Sequence, residues 1–241
     1  MKTRVTYLDH SGFAVEHDDV VVVFDYYKDP ANKLTKILHR NTDKPVLFFV
    51  SHHHEDHFNR EIFNLAQDHQ RVFILSDDIN GNEIGDSLPV AWVHEGGDLD
   101  GLPGGVKVKA FGSTDTGVSF YVTFKDGVTC FHAGDLNYWH WQDESTEKEV
   151  RRAYSGFVQQ MQHIMSVTEH MDIVFFPVDP RMGSDYSNGA RLFMENIDVA
   201  NFFPMHFWGD EAAATCFEDY ATDNTVCHAL TEPGASVELE V

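Results

Sequence analysis

Cysteine is scarce in this chain. Cys130, Cys216 and Cys227 are odd in number, and their spacing matches neither a zinc ribbon nor a redox pair. That excludes a disulfide scaffold and makes a reducing compartment the expectation. Cations are scarce too. Seventeen Lys and Arg stand against 39 Asp and Glu, a formal net charge of −22. The longest basic patch, Arg151-Arg152, reads as part of a helix face. Gripping a phosphate backbone or an anionic lipid surface needs clustered Lys and Arg, so nucleic acid and membranes are poor partners for such a chain. No window approaches a transmembrane span, and the N-terminus lacks the apolar stretch of a signal peptide. A small-molecule substrate or metal ions fit the charge best, and the cytoplasm is the expected location.

Histidine is what the chain has in quantity. Ser51-His52-His53-His54-Glu55-Asp56-His57 places four histidines and two carboxylates in seven residues. This cluster follows an apolar run, Val46 to Val50, that reads as a buried strand. Neutral imidazole and carboxylate are the ligands that zinc, iron and manganese accept. His52 and His54 are two apart, so an extended segment puts both on one face. Asp56 and His57 follow as the chain turns, which would aim them at a neighbouring position. The spacing therefore suits two ions close together.

Around this cluster the pattern alternates between strands and helices. Strands are expected at 4–8, 13–16, 20–25, 72–75, 91–94 and 106–111. Two longer ones, 118–125 and 128–133, flank Asp126-Gly127, a strong hairpin signal. Further strands are expected at 173–178, 201–205 and 237–241. Helices are expected at 32–38, 59–68, 144–168 and 188–196, with another opening at Asp210. No internal repeat or linker interrupts residues 1–241, so one domain of sheets packed face to face with helices outside is the expected organisation.

The Ser51 to His57 motif, followed by Phe58, resembles the signature of the metallo-β-lactamase superfamily. The opening Tyr7-Leu8-Asp9-His10-Ser11-Gly12-Phe13 and the strand that ends at Asp25 resemble its ascorbate-6-phosphate lactonase-like branch of zinc-dependent hydrolases. Phe131-His132-Ala133-Gly134-Asp135 resembles the strand whose terminal aspartate bridges two metals. Pro204-Met205-His206-Phe207 resembles the late strand that ends in a histidine ligand. The resemblance implies a four-layer αββα sandwich of the α/β (α+β) class and one or two divalent ions, zinc first, with manganese or iron as alternatives. It implies His52, His54, Asp56, His57, Asp135 and His206 as ligands, Asp56 also as the catalytic carboxylate, and Asp25 as support behind them.

One departure stands out. The superfamily usually supplies a further histidine before the Gly-Asp strand, and the matching region here, 110–118, has none. Asp115 and His140 are the candidates to replace it. His10, Trp139 and Arg181 are candidate substrate contacts, Arg181 because a guanidinium pairs with carboxylate or phosphate. The expected reaction is hydrolysis of a small-molecule ester, lactone, amide or phosphodiester. The alternative is a non-catalytic metal-binding or sensor protein with an incomplete first site. Redox chemistry at a di-iron centre is a third class that the superfamily also supports.

Overall fold

The structure, a computed structural model, describes residues 2–85, 87–220 and 224–241. The first half of the chain forms β1 (Lys2–Asp9), β2 (Gly12–His17), β3 (Val20–Phe24), α1 (Lys33–Arg40), β4 (Val46–Val50), β5 (Arg71–Ser76) and β6 (Val90–Val93). There follow β7 (Asp98–Leu99), β8 (Lys107–Gly112), β9 (Val118–Thr123), β10 (Thr129–His132), α2 (Glu147–Met165) and β11 (His170–Pro177). The chain closes with α3 (Asn188–Asn196), β12 (Asp198–Met205), α4 (Glu211–Cys216), β13 (Val226–Cys227) and β14 (Ser236–Glu240).

Two seven-stranded sheets result, ordered β14-β1-β2-β3-β4-β5-β6 and β13-β12-β11-β10-β9-β8-β7. Each is antiparallel on one side and parallel on the other. In the first, β3, β4, β5 and β6 run parallel. In the second, β10 to β13 do. Parallel strands are covered on both faces, which is why β4 reads as an unbroken apolar run. Its Leu47 and Phe49 face the other sheet, while Val46, Phe48 and Val50 pack under α1 with Leu34, Ile37 and Leu38.

Between the sheets, Phe13 meets Phe175 at 4.3 Å between ring centres and Phe49 meets Phe120 at 5.1 Å. On the outer face of the second sheet, Phe131 and Phe176 pack against Phe193 of α3, and Phe176 also meets Phe157 of α2. The layers are thus helix, sheet, sheet, helix, the αββα sandwich expected. The chain turns between β9 and β10 at Gly127, whose φ of 99° suits a residue without Cβ.

The segment 59–68 departs from expectation. Only a short 3₁₀ turn, Arg60–Asn64, forms there. Arg71 explains it, because its Nη1 draws in the carbonyl oxygens of Phe63 and Leu65 at 2.8 and 2.5 Å. The two carbonyls point to Arg71, and Ala66 at φ 51°, just past the turn, puts left-handed backbone where a helix would continue.

Candidate metal centre

The parallel halves of both sheets bring their strand C-termini to one edge, the usual place for a site in such sheets. Asp25 follows β3, His52 follows β4, Asp135 follows β10, Asp179 follows β11 and His206 follows β12. The β1–β2 turn adds His10. Three of these residues, His10, Asp25 and His206, have positive φ of 55°, 39° and 61°. Strained backbone of this kind persists where the surroundings over-determine it, and it clusters at functional sites.

Asp25 is fully buried and organises the histidine turn. Its Oδ1 accepts from the Ser51 backbone N–H at 2.7 Å and its Oδ2 from the Ser51 hydroxyl at 2.6 Å. The same Oδ2 lies 2.7 Å from His57 Nδ1. A carboxylate only accepts, so His57 Nδ1 carries the proton. With its own proton on Asp25, the Ser51 hydroxyl accepts from His52 Nδ1 at 2.9 Å. One carboxylate therefore fixes the tautomer of two histidines and turns both Nε2 lone pairs to the same space. His206 is held likewise, with Nδ1 donating to Asp179 Oδ2 at 2.9 Å. Close packing completes the frame. Gly117 (φ 70°) lies so near that a Cβ would overlap the Ser51 carbonyl oxygen, and one on Gly134 (φ 53°) would stand 2.7 Å from the Ser51 Cβ.

Asp135 sits between the histidines. Its Oδ2 is 3.5 Å from His52 Nε2, and its Oδ1 is 3.1 Å from His57 Nε2 and 3.5 Å from His206 Nε2. These ligand atoms fall into two compact groups. His52, His54 and Asp135 form one, while His10, Asp56, His57 and His206 form the other, with all atoms of each within 4.8 Å of one another. The Nε2 atoms of His10, His52 and His57 and Asp135 Oδ1 are buried without a hydrogen-bond partner. Buried polar atoms are otherwise nearly always satisfied. Imidazole and carboxylate atoms that converge in this way are the donor set a divalent cation requires, and the supported Nδ1 atoms are what metal-binding histidines show. The residues fit a metal.

Two of the histidines, His52 and His10, have the electrostatics of neutral ligands. Burial, with His57 nearby, lowers His52 to a pKa of about 4, and burial lowers His10 to about 4 against the pull of Asp56. Both stay neutral and able to ligate at neutral pH. Burial also disfavours a charged His57, but Asp135 and Asp25 on its two nitrogens outweigh it and raise its pKa well above the usual value. Burial opposes ionisation of Asp135, yet His57 and His206 hold its carboxyl far below the ordinary range. Asp56 is likewise held low, by His10 and His57 against burial.

A cavity of about 410 Å³ opens over these groups, walled by His54, Asp56, Asp115, Asp135, His206, Arg181 and three tryptophans, Trp139, Trp141 and Trp208. A larger one of about 630 Å³ lies beyond Thr114 along α2 and holds none of the clustered residues. Asp115 stands at the exposed rim of the metal-side cavity, outside both compact groups. Its carboxyl is raised by burial and by Asp135.

His140 does not join the centre. Its Nδ1 faces the Tyr138 carbonyl at 3.2 Å and its Nε2 pairs with Asp185 at 2.7 Å, so both nitrogens are engaged elsewhere. His53 points the other way from its neighbours and pairs with Asp78 at 2.7 Å. Trp139 stands beside His206, its ring 5.6 Å away, and its indole N–H donates to the Asp135 carbonyl. Sequence reasoning assigned no role to Ser51 as the His52 anchor, to Asp179 as the His206 anchor or to Trp208 in the wall. Asp179 was visible only as the residue after a strand, and Ser51 only as the first letter of the motif.

A sandwich with a His-x-His-x-Asp-His turn at one strand end and lone Asp and His residues at others defines the metallo-β-lactamase fold and its type of metal centre. The description Beta-lactamase superfamily domain matches residues 4–206, and the chain belongs to that family. Two strains of Nitratidesulfovibrio vulgaris, DP4 and Hildenborough, carry similar proteins described as UPF0173 metal-dependent hydrolase. They are 29% identical over 143 residues and 30% over 145. Each match covers 56% of this chain and 59% of the relative, so the chain spans about three fifths of the relatives' length.

Among solved structures, a metallo hydrolase from the archaeon Ignicoccus hospitalis is similar over 100% of both chains, with a TM-score of 0.68 and 20% identity. A metallo-beta-lactamase fold protein from Bacillus subtilis, YhfI, covers 98% of this chain and 99% of its own, at TM-score 0.63 and 12% identity. The diiron beta-hydroxylase CmlA of Streptomyces venezuelae shares the fold over 99% of this chain and 54% of its own, at TM-score 0.61 and 12% identity. Likeness at such identities speaks for the fold alone.

Proposed function

We propose that this protein is a metal-dependent hydrolase of small molecules that carry an anionic group. The observation behind this reading is the set of buried, unpartnered Nε2 and Oδ1 atoms beneath an open cavity. Its volume of about 410 Å³ falls in the range of small-molecule sites. The relatives named metal-dependent hydrolases support the same reaction class. His52, His54, Asp56, His57, Asp135 and His206 would hold the ions, zinc first by its preference for imidazole and carboxylate. Bound there, a divalent ion supplies a Lewis acid that lowers the pKa of a water and polarises the oxygen of the bond to be cleaved.

The chain's own residues do the rest. Asp56 faces the cavity as a carboxylate. Its low pKa makes it an acceptor that orients the attacking O–H rather than a store for its proton. Asp115 stands across from it at the rim of the cavity. Among the described residues, Arg181 is the only Lys or Arg lining the cavity. Asp179 takes its Nε and Nη2, and its guanidinium stacks on Trp208 at 4.5 Å. That leaves Nη1 for a carboxylate or phosphate of the substrate. Trp139 and Trp141, stacked 6.1 Å apart, offer an apolar wall that excludes water from the bound molecule. The three-ligand group His52, His54 and Asp135 leaves coordination room, which favours turnover over a sensor role.

Metal-depleted protein, reloaded with zinc, manganese or iron, should be assayed against paired neutral and carboxylated esters, lactones and phosphodiesters. The expected result is metal-dependent hydrolysis with lower KM for the anionic member. Arg181→Met should raise that KM about tenfold or more, as loss of a charge-assisted hydrogen bond implies, and leave the neutral member unchanged. Hydrolysis of no member with any metal would overturn the reading.

A further inference from the structure

His10 does more than line a turn. Sequence alone suggested a substrate contact, yet the residue is 5% exposed and its Nε2 is among the buried atoms without a partner. That Nε2 lies 3.4 Å from Asp56 Oδ2, in one compact group with His57 and His206. The ring is packed from three sides, 4.2 Å from His206, 4.5 Å from Trp208 and 5.5 Å from His57 between centres.

The backbone is arranged to put it there. At φ 55° the residue adopts left-handed backbone that an ordinary side chain avoids. Tyr7 Oη accepts the His10 N–H at 2.8 Å, and the His10 carbonyl accepts from the His206 N–H at 3.3 Å. The β1–β2 turn and the β12 end are thereby tied backbone to backbone, with their imidazoles side by side.

We propose that His10 is a metal ligand, and that the centre holds its two ions unequally. Four side chains, His10, Asp56, His57 and His206, build one closed position. Three, His52, His54 and Asp135, build an open one, with Asp135 turning its second oxygen toward His57 and His206 between the two. The histidine absent from the usual place is thus offset by one gained at the other position. Closed four-ligand sets are what structural zinc sites use, while catalytic sites keep a place free. Substrate oxygen and water are then directed to the His52 side, and the closed position serves as a fixed charge. This rests on the metal-centre reading above, and its test reads metal binding rather than turnover.

The test titrates Co²⁺ into metal-depleted protein and follows the visible ligand-field absorption, the stoichiometry and the nitrogen count by X-ray absorption. His10→Asn is the main variant, because Asn tolerates left-handed backbone but lacks the reach of imidazole. His10→Gln is the second, because its amide can still donate to Asp56. His52→Ala is the control. Wild type should bind two equivalents, with His10→Asn and His10→Gln both weakening one position by about tenfold or more and losing one nitrogen from its shell. His52→Ala should weaken the other position.

If His10 only steadies Asp56 by a hydrogen bond, His10→Gln binds both ions as wild type does, and the proposal is overturned. Unchanged binding in His10→Asn overturns it equally. If His52→Ala also leaves binding unchanged, the metal centre itself fails, an outcome distinct from failure of His10 alone.

Discussion

Asp179 holds His206 and Arg181 at once. Its Oδ2 accepts from His206 Nδ1 at 2.9 Å and from Arg181 Nη2 at 2.5 Å. A buried carboxylate thus links a candidate ligand to the guanidinium that lines the cavity. Burial would raise its carboxyl, but His206 and Arg181 bring the pKa down to about 2. Asp179→Asn should lower metal affinity by about 10–100-fold, the usual effect of losing a partner behind a ligand. It should also weaken binding of anionic substrates more than neutral ones. Metal titration and paired KM values check both.

Gly117 meets a tighter constraint. At φ 70°, with no room for a Cβ against the Ser51 carbonyl, it allows the β9 start to pass beneath the histidine turn. Gly117→Ala should cost more than about 2 kcal/mol, since a strained φ and a backbone clash add. Urea melts measure that. Because Ser51 orients His52, metal content should fall in the same variant, which a change of stability alone would not produce.

Metal removal should destabilise the fold. His10 Nε2 and His52 Nε2 are buried without a hydrogen-bond partner, so an ion binds the folded chain in preference to the unfolded one. At a hundredfold excess over Kd that preference is worth about 2.7 kcal/mol. For a chain of this size it corresponds to a Tm rise of roughly 5–10 °C. Thermal melts in chelator and in zinc give the comparison, and coincident curves would contradict it.

Far from the centre, Glu16 gives a pH signature. Burial would raise its carboxyl, but Arg40 and Asn41 outweigh that and hold it below the ordinary glutamate value. Arg40 Nε and Asn41 Nδ2 each donate to it at 2.7 Å. A depressed folded pKa means stability present above the unfolded pKa and lost as pH falls through the folded one. Glu16→Gln should therefore be less stable by about 1 kcal/mol at pH 7, with a smaller gap at about pH 3, which lies below the unfolded value. Denaturant midpoints at the two pH values decide it.

The alternation of strands and helices was legible because the inner parallel strands are buried, β3 and β4 along their whole length. Val46 to Val50 could only be a core strand, and His52, His54, Asp56 and His57 had to emerge at its end. Asp135 and His206 were legible as strand-end residues. His10 was not legible as part of a ligand group, because its place depends on a left-handed turn and on β12 lying beside β1–β2 in space. Asp115 and His140 were reasonable from spacing, but His140 finds Asp185 instead and Asp115 stays at the rim. The helix expected at 59–68 had the right apolar period. Arg71, from the next strand, took its carbonyls, a contact that periodicity does not reveal.

The most direct measurement is metal-reconstituted hydrolysis in wild type and Asp135→Ala. Activity on the best substrate of the panel should rise with added metal to two equivalents per chain. Asp135→Ala should lose metal and at least about a hundredfold in kcat/KM, as removal of a group from a concerted set does. Hydrolysis that survives chelation, or an Asp135→Ala variant with full metal content and full activity, would contradict it.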